Sequence, residues 1–522
     1  MIRVLFPEEM AELDRAAGEE GVPTSELMER AGRAVAEQAR DMLGGLCAGR
    51  RVVVAAAKGN NGGDGLVAAR YLASWGARVE VFLLARPEEL SPDAALNYRR
   101  YLEQGGRVTA GEPALLDEML READLAVDAI FGFGFRGRAD GPFAEAIEAL
   151  NRCGVPVLSV DLPSGVDAST GAVEGPAVEA DRTVTLAWPK VGLYLYPAAE
   201  KVGELVVADI GIPVHLLEAL VRSELHALEE EDAAGMLPAR RPHAHKGQCG
   251  RVLVVAGSTG LTGAAALCAR SAMRCGAGVV TLGIPSSLNP IMEVKLTEVM
   301  TLPLPDDGGG RLAEEASGVV LEALPSFDVL ALGPGLGTSP GTVSAVRRLV
   351  REASLPLVLD ADGLNGVAGE PSVLEGRQGP AVITPHPGEL GRLLGRGAAE
   401  VQRDRLGNAL EASRRFGCPV VLKGANTVIA EPGGRAFFHP LALPELATAG
   451  SGDVLTGCLA ALLAQGLPPL EAALCAVLVH GKAAQLASSV VGGVGMVAGD
   501  VVSHLPLALN GLRRKREGGR YR

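Results

Sequence analysis

The chain predicts two α/β domains in tandem, each a mostly parallel sheet covered by helices. Three observations carry this expectation. At 522 residues it exceeds what one hydrophobic core usually supports. Short Val-, Leu- and Ile-rich runs ending in Gly or polar clusters alternate with helical stretches, the pattern of parallel βα units. Finally, this alternation breaks at an acidic segment, Glu229-Glu-Glu-Asp232, and a Pro-flanked linker, Pro238–Pro242, then restarts with different turn motifs. The boundary is placed near residue 222. The expected domains are 1–222 and 223–510, with a basic tail, 511–522, that contains Arg513–Arg516.

Composition narrows the classes of function. Aromatic residues make up only 3%, so Val, Leu, Ile and Ala must build the cores. The balance of 49 basic against 62 acidic residues, −13, disfavours nucleic acid and anionic membranes as partners. Eight cysteines are scattered without a CxxC pair, so neither a zinc site nor a disulfide framework is signalled. The N-terminus carries Glu8, Glu9, Glu12 and Asp14 and lacks an apolar leader segment. No membrane-spanning run is expected, and a soluble, cytoplasmic protein follows.

In the first half, Thr24–Val35 reads as an amphipathic helix with Leu27, Met28, Ala31 and Val35 on one face. Arg51–Ala57 is a buried strand. It runs into Lys58-Gly-Asn-Asn-Gly-Gly-Asp-Gly65 and a helix expected over Leu66–Trp75. Strand, Gly-rich turn and helix form a phosphate-binding layout. Further strands are expected at Val79–Leu84, Leu125–Ile130, Val155–Asp161 and Thr183–Ala187. In an open α/β sheet ligands bind at the C-terminal strand ends, where Asn61, Asp128, Asp161 and Ser164 would converge. Their oxygens suit a hard cation.

Asn60-Asn-Gly-Gly-Asp-Gly65, Asp128-Ala-Ile-Phe-Gly-Phe-Gly134 and Asp161-Leu-Pro-Ser-Gly-Val-Asp167 resemble the YjeF N-terminal family, the NAD(P)H-hydrate epimerases, over about residues 1–220. The resemblance implies a Rossmann-like three-layer domain that interconverts the R and S hydrates of NADH and NADPH. It implies hydrate binding by Asn60, Asn61, Gly62, Gly63, Asp64, Gly132, Phe133, Gly134, Phe135, Arg136, Gly137, Arg138 and Asp161. It also implies a potassium ion held by Asn61, Asp128 and Ser164. Asp128 is the candidate acid/base, because epimerisation requires a group that moves protons beside the hydrated ring. Lys190, alone after a strand, reads as a surface lysine more readily than a catalytic one.

The second half repeats the βα logic. His245-Lys-Gly247 precedes the strand Gly250–Ala256, the turn Gly257–Gly263 and the helix Ala264–Arg274. Val279–Ile284 and Val329–Leu332 are strands, the latter leading into Gly333-Pro-Gly-Leu-Gly337. Leu357–Gly363, Ala381–Glu389 and Val420–Thr427 are strand-to-turn units. Leu446–Gly457 joins a small-residue turn to an apolar helix, setting backbone amides and the Asp453 carboxylate beside an anion. Lys423 would bring a cation to a nucleotide phosphate, and His386 sits on a turn between two prolines.

These units resemble the ribokinase-like three-layer fold. Within it, His245-Lys-Gly247, Thr384–Glu389, Lys423-Gly424 and Ala449–Gly457 resemble the YjeF C-terminal family, the nucleotide-dependent NAD(P)H-hydrate dehydratases, over about residues 224–505. The resemblance implies nucleotide binding by Lys423, Gly424, Ala425, Asn426, Thr427 and Gly452. Hydrate binding falls to Gly335, His386 and Asp453. ADP or ATP is the implied co-substrate, with Mg2+ bridging its phosphates, and the implied assembly is a homo-oligomer, a tetramer or larger. Ser451 stands where many members carry Thr and keeps the hydroxyl. Asp453 is the expected base, activating the hydrate hydroxyl for phosphoryl transfer so that phosphate, not hydroxide, leaves. A vitamin or sugar kinase with an accessory dinucleotide-binding domain would carry the same Gly-Ser-Gly-Asp turn.

Overall fold

Register places the first half's ligand loops together. In a computed structural model, which describes residues 1–240 and 242–516, Ala56 pairs with Ala129 at the ends of two adjacent parallel strands. The chain divides into two compact units, Ile2–Leu225 and His226 onward together with Met1.

The first unit holds a seven-stranded sheet in the order Arg107–Ala110, Arg78–Leu83, Arg51–Ala56, Leu125–Ala129, Val157–Val160, Arg182–Leu186 and Glu204–Ala208. Every pairing is parallel. Strand order reverses direction between Arg51–Ala56 and Leu125–Ala129, the switch point at which open α/β sheets bind ligands. The edge strands Arg107–Ala110 and Glu204–Ala208 were not expected. They are short and half-exposed, so they lack the continuous apolar run that marks a central strand. The helix expected from Leu66 begins at Asn60. Its first turn is largely glycine and packs directly on the strand ends: a Cβ on Gly62 would lie 1.9 Å from the Ala57 carbonyl oxygen.

The second unit orders its strands Ala436–His439, Thr427–Ala430, Val420–Leu422, Ala381–Ile383, Leu357–Leu359, Val329–Leu332, Arg251–Val255, Val279–Pro285 and Met300–Leu304. Pairing is parallel from Val420–Leu422 onward and antiparallel at the two preceding strands, which were not expected. Val252, Val254, Val329 and Ala331 pack with the helices Thr262–Arg274 and Ser451–Ala464. Alternation turns the equally buried Leu253, Val255, Leu330 and Leu332 to the opposite face.

Beyond Thr456 the helix Ser451–Ala464 is apolar all round, as a helix enclosed in a core must be. Its Gly457 allows close packing, since a Cβ there would lie 2.1 Å from the Cys268 carbonyl oxygen. The neighbouring helix Pro469–Val491 is long and apolar enough to cross a bilayer, which the sequence reading passed over. Most of its apolar side chains are buried in the same core. Part of the expected basic tail belongs to the fold, because the last helix runs from Ala498 to Arg516. Residues 517–522 lie outside the described residues.

Candidate active sites

In the first unit, the turn after Arg51–Ala56 and the loop after Leu125–Ala129 border a cavity of about 690 Å³. Asn60, Asn61, Asp64, Gly132, Phe133, Gly134, Phe135, Arg136 and Asp161 line it, as expected. Gly62 and Gly63 lie behind that wall, with Gly63 against Met28. Gly137 and Arg138 stand outside it, and the Arg138 guanidinium donates to Asp140. Phe131 and Phe135 stack at 4.6 Å on the loop, giving the cavity an aromatic side.

Asp128 requires a correction. It does not line the cavity but lies fully buried. Its carboxylate accepts from Ser159 Oγ at 2.9 Å, Ser164 N at 2.8 Å, Ser164 Oγ at 2.5 Å and Ile130 N at 3.2 Å. Four donors fill its acceptor capacity. It fixes Ser164, whose Oγ in turn accepts from Phe131 N at 2.8 Å.

Lys190 is the reverse case. Expected on the surface, it is only 1% exposed, and its ammonium lies 2.5 Å from Asp161 Oδ1. It also donates to the Leu186 carbonyl at 2.9 Å and sits over the Phe133 ring. The Asp161 backbone adopts φ +67°, a left-handed conformation rare for a residue other than glycine. This turns the carboxylate back toward the next strand, where Leu186 N and Thr185 Oγ1 also donate to it. No local motif marks this contact, because the two residues lie 29 positions apart. Asp14 and Asp64 share the cavity wall. Burial drives the Asp64 carboxyl well above its usual range, and the charges of Asp161 and Asp14 add to this.

In the second unit, the Gly333–Gly337 loop is wedged between two neighbours. A Cβ on Gly333, at φ +133°, would lie 1.8 Å from the Asp360 carbonyl oxygen. Ser258 Oγ donates to the Gly335 carbonyl at 2.8 Å, and Gly337 N donates to Asp362 Oδ2 at 2.8 Å. Lys423 Nζ lies 2.5 Å from Asp360 Oδ1, while Thr456 Oγ1 donates to Asp360 Oδ2 at 2.6 Å. Asp360 therefore joins the Lys423 strand end to the Ser451–Ala464 helix. Burial opposes the Lys423 charge, but Asp360 and Glu389 outweigh it and hold the ammonium above its usual range. A Cβ on Gly452 would lie 3.4 Å from Lys423 Nζ, and one on Gly450 would lie 3.8 Å from Asp453 Oδ2. The turn, Lys423 and Asp453 thus occupy one place.

Burial, then the charge of Asp360, pushes the Asp453 carboxyl up to about 7, against the pull of Lys423. A carboxyl poised near neutrality suits a general base. His386 caps the helix Pro387–Leu394, its Nδ1 accepting from Gly388 N at 3.0 Å and Glu389 N at 3.3 Å. Its Nε2 lies 3.3 Å from Glu389 Oε1, and burial, Lys423 and Arg392 depress its pKa. Its side chain is half-exposed. Lys423–Thr427 forms the hairpin turn between antiparallel strands, with Gly424 and Ala425 exposed and Asn426 at φ +49°. Buried Arg405 holds this turn from below by donating to the Leu422 and Lys423 carbonyls. Asp360, Thr456 and Arg405 were not expected as site residues. The Asp360-Ala-Asp362 strand end was the available signal for the first of them.

A strand-end cavity with a Gly-rich turn in one unit, and a Lys–Asp pair facing a small-residue helix start in the other, define a two-site α/β enzyme. Comparison supports this. A family model described as YjeF-related protein N-terminus matches residues 24–192, and one described as NAD(P)H-hydrate dehydratase matches residues 252–507. The chain is 46% identical to a bifunctional NAD(P)H-hydrate repair enzyme of Moorella thermoacetica, over 98% of this chain and 97% of that protein. It is 41% identical to one of Thermofilum pendens, with the same coverage of 98% and 97%. A solved ADP/ATP-dependent NAD(P)H-hydrate dehydratase of Bacillus subtilis, co-crystallised with ATP/Mg2+, is 30% identical and covers 55% of this chain and 98% of its own, at a TM-score of 0.48. The chain belongs to the bifunctional NAD(P)H-hydrate repair enzymes, with an epimerase domain and a dehydratase domain in one polypeptide.

Proposed function

We propose that the repair reactions divide between the two described sites. The cavity of residues 1–222 interconverts the R and S hydrates of NADH and NADPH. The Lys423–Asp453 site of residues 223–510 consumes the S form together with ADP or ATP. The observation that carries the second assignment is the meeting of Gly450, Gly452, Lys423 and Asp453 at one helix start. Turn amides and Lys423 receive the phosphates. Asp453 takes the proton from the C6 hydroxyl of the hydrate as that oxygen attacks the terminal phosphoryl group. The C6–O bond then breaks with its electron pair on the departing phosphate, C5 gives up a proton to solvent to restore the C5=C6 double bond, and AMP or ADP remains. His386 and the Gly333–Gly337 loop hold the hydrate.

Among the described residues, no group of three or more His, Cys, Asp or Glu side chains is placed to hold a metal ion. This fits Mg2+ carried mainly by the nucleotide phosphates, where it neutralises developing charge. In the epimerase cavity, Asn61 Nδ2 is buried without a hydrogen-bond partner. Turning the amide over would present Oδ1 to the same space, an oxygen suited to potassium. Asn61 and Ser164 would hold the ion, with the Asp128 charge beneath them. There it would supply positive charge for the anionic parts of the dinucleotide. Since Asp128 is saturated, the proton-moving groups are Asp161 and its partner Lys190. The two sites are proposed to act in a homo-oligomer.

The test is to incubate the full chain with R or S NADH hydrate and with ADP or ATP, following NADH, phosphate and nucleotide together. NADH and phosphate in equal amounts are expected from both hydrates. A stable phosphorylated product would instead establish a kinase of the ribokinase class.

A further inference from the structure

Asp14 lies on the helix Pro7–Glu19, one turn beyond Met10, and both side chains reach the cavity. The rest of that helix face is apolar, with Met10, Leu13 and Ala17 buried. Neighbouring acids are used elsewhere: Glu9 accepts from Ser223, and Glu8 pairs with Arg136. Asp14 instead meets Lys190 and Asp161 through space, with burial pushing its carboxyl up to about 6. Asp64, Lys58 and Arg136 complete the charged groups of the cavity.

The two carboxyls are thus held differently. Asp161 is clamped by an ammonium at 2.5 Å, whereas Asp14 projects from an apolar helix face on a different element. Carboxyl pairs with opposed environments divide acid and base roles between them. Resting on the epimerase reading above, we propose that Asp14 donates a proton to the C6 hydroxyl of the hydrate and that the Asp161–Lys190 pair receives one from water.

The proton passes from the Asp14 carboxyl to the hydroxyl oxygen. The C6–O bond breaks with its electron pair on the departing water, and the ring nitrogen lone pair closes to a C6=N1 iminium. Water then adds to the opposite face of C6 and gives its proton to Asp161. Asp161 releases that proton to solvent and Asp14 takes one up, so charge and atoms balance over the cycle.

The test uses the full chain and R hydrate without nucleotide, with formation of S hydrate followed by chromatography. Wild-type kcat should fall as pH rises through about 6, the value near which Asp14 loses its proton. Asp14→Asn should lower kcat by roughly 10²- to 10⁴-fold with KM little changed and should remove that limb. Asp14→Glu should restore much of the rate and the limb. A wild-type rate flat across this range overturns the assignment even if Asp14→Asn fails to fold. So does an Asp14→Asn enzyme as fast as wild type, or a limb removed by Asp64→Asn instead. If wild type converts S hydrate but does not accelerate use of R hydrate, the epimerase reading itself falls, and this assignment with it.

Discussion

Both units set a lysine against a buried aspartate at a strand end, with the same separation of 2.5 Å, yet the pairs differ in exposure. The Lys190–Asp161 pair is sealed, at 1% and 4% side-chain exposure, beside the aromatic wall of a deep cavity. Lys423 is 19% exposed and faces a turn of backbone amides. A sealed pair in an apolar pocket suits proton movement at an uncharged ring carbon. An open pair at a helix start suits phosphate, which needs fixed positive charge more than exclusion of water. In each case the strand end turns sharply through a left-handed non-glycine residue, Asp161 itself or Ala361 beside Asp360.

The largest expected effect separates the two sites functionally. Asp453→Asn should lower S-hydrate dehydration by roughly 10²- to 10⁴-fold, as loss of a general base does. Interconversion of R and S hydrates, read by chromatography without nucleotide, should be unchanged. A parallel loss of both activities would mean that the two sites do not work separately.

Removing each lysine should sharpen the contrast between the pairs. Lys190→Met leaves a sealed carboxylate without its partner and should cost about 3–5 kcal/mol of stability in the first unit. Lys423→Met should cost less, because water reaches that end of the pair, while nucleotide binding weakens. Urea unfolding of the two variants compares them directly. Equal losses would contradict the difference drawn from exposure. Adding Asp161→Asn to Lys190→Met should recover part of the stability.

Glycine substitutions should follow at about 1–3 kcal/mol from backbone strain, with any clash added. Gly333→Ala combines φ +133° with a Cβ placed 1.8 Å from a carbonyl oxygen, so it should disturb the hydrate loop of the second site alone. Gly62→Ala has a similar clash at 1.9 Å without a positive φ, and should disturb only the epimerase turn. Paired assays of R- and S-hydrate use on each variant measure this selectivity.

The same pairs show how much could be read from sequence. Central strands were legible, because runs such as Arg51–Ala57 are apolar without interruption and end in glycine. So were loops whose glycines permit close approach, including Lys58–Gly65 and Leu446–Gly457. Edge strands such as Glu204–Ala208 were not, since half-exposed residues blur the alternation. Charge was less legible. Asp128 looked catalytic because it is an acid at a strand end, but its four donors come from residues up to 36 positions away. Lys190 looked exposed because its partner lies 29 positions upstream. Whether a charged group is saturated, sealed or free is decided by tertiary neighbours, and no local pattern records them.

A last expected effect concerns stability against pH, and it rests on this same point about neighbours. The folded Asp453 carboxyl titrates at about 7, raised from an ordinary 3.8 mainly by burial. The folded state therefore holds its proton more tightly than the unfolded chain does. Folding is favoured by this group below about pH 4, and that advantage is lost progressively as pH rises toward 7. Asp453→Asn removes the titration, so its stability relative to wild type should improve between pH 4 and 7 and then level off. Denaturant midpoints of both proteins across this range give the difference. Asp14, raised to about 6, should behave alike in the first unit over a narrower window. A variant whose relative stability falls with rising pH would show that the Lys423 charge, rather than burial, governs Asp453.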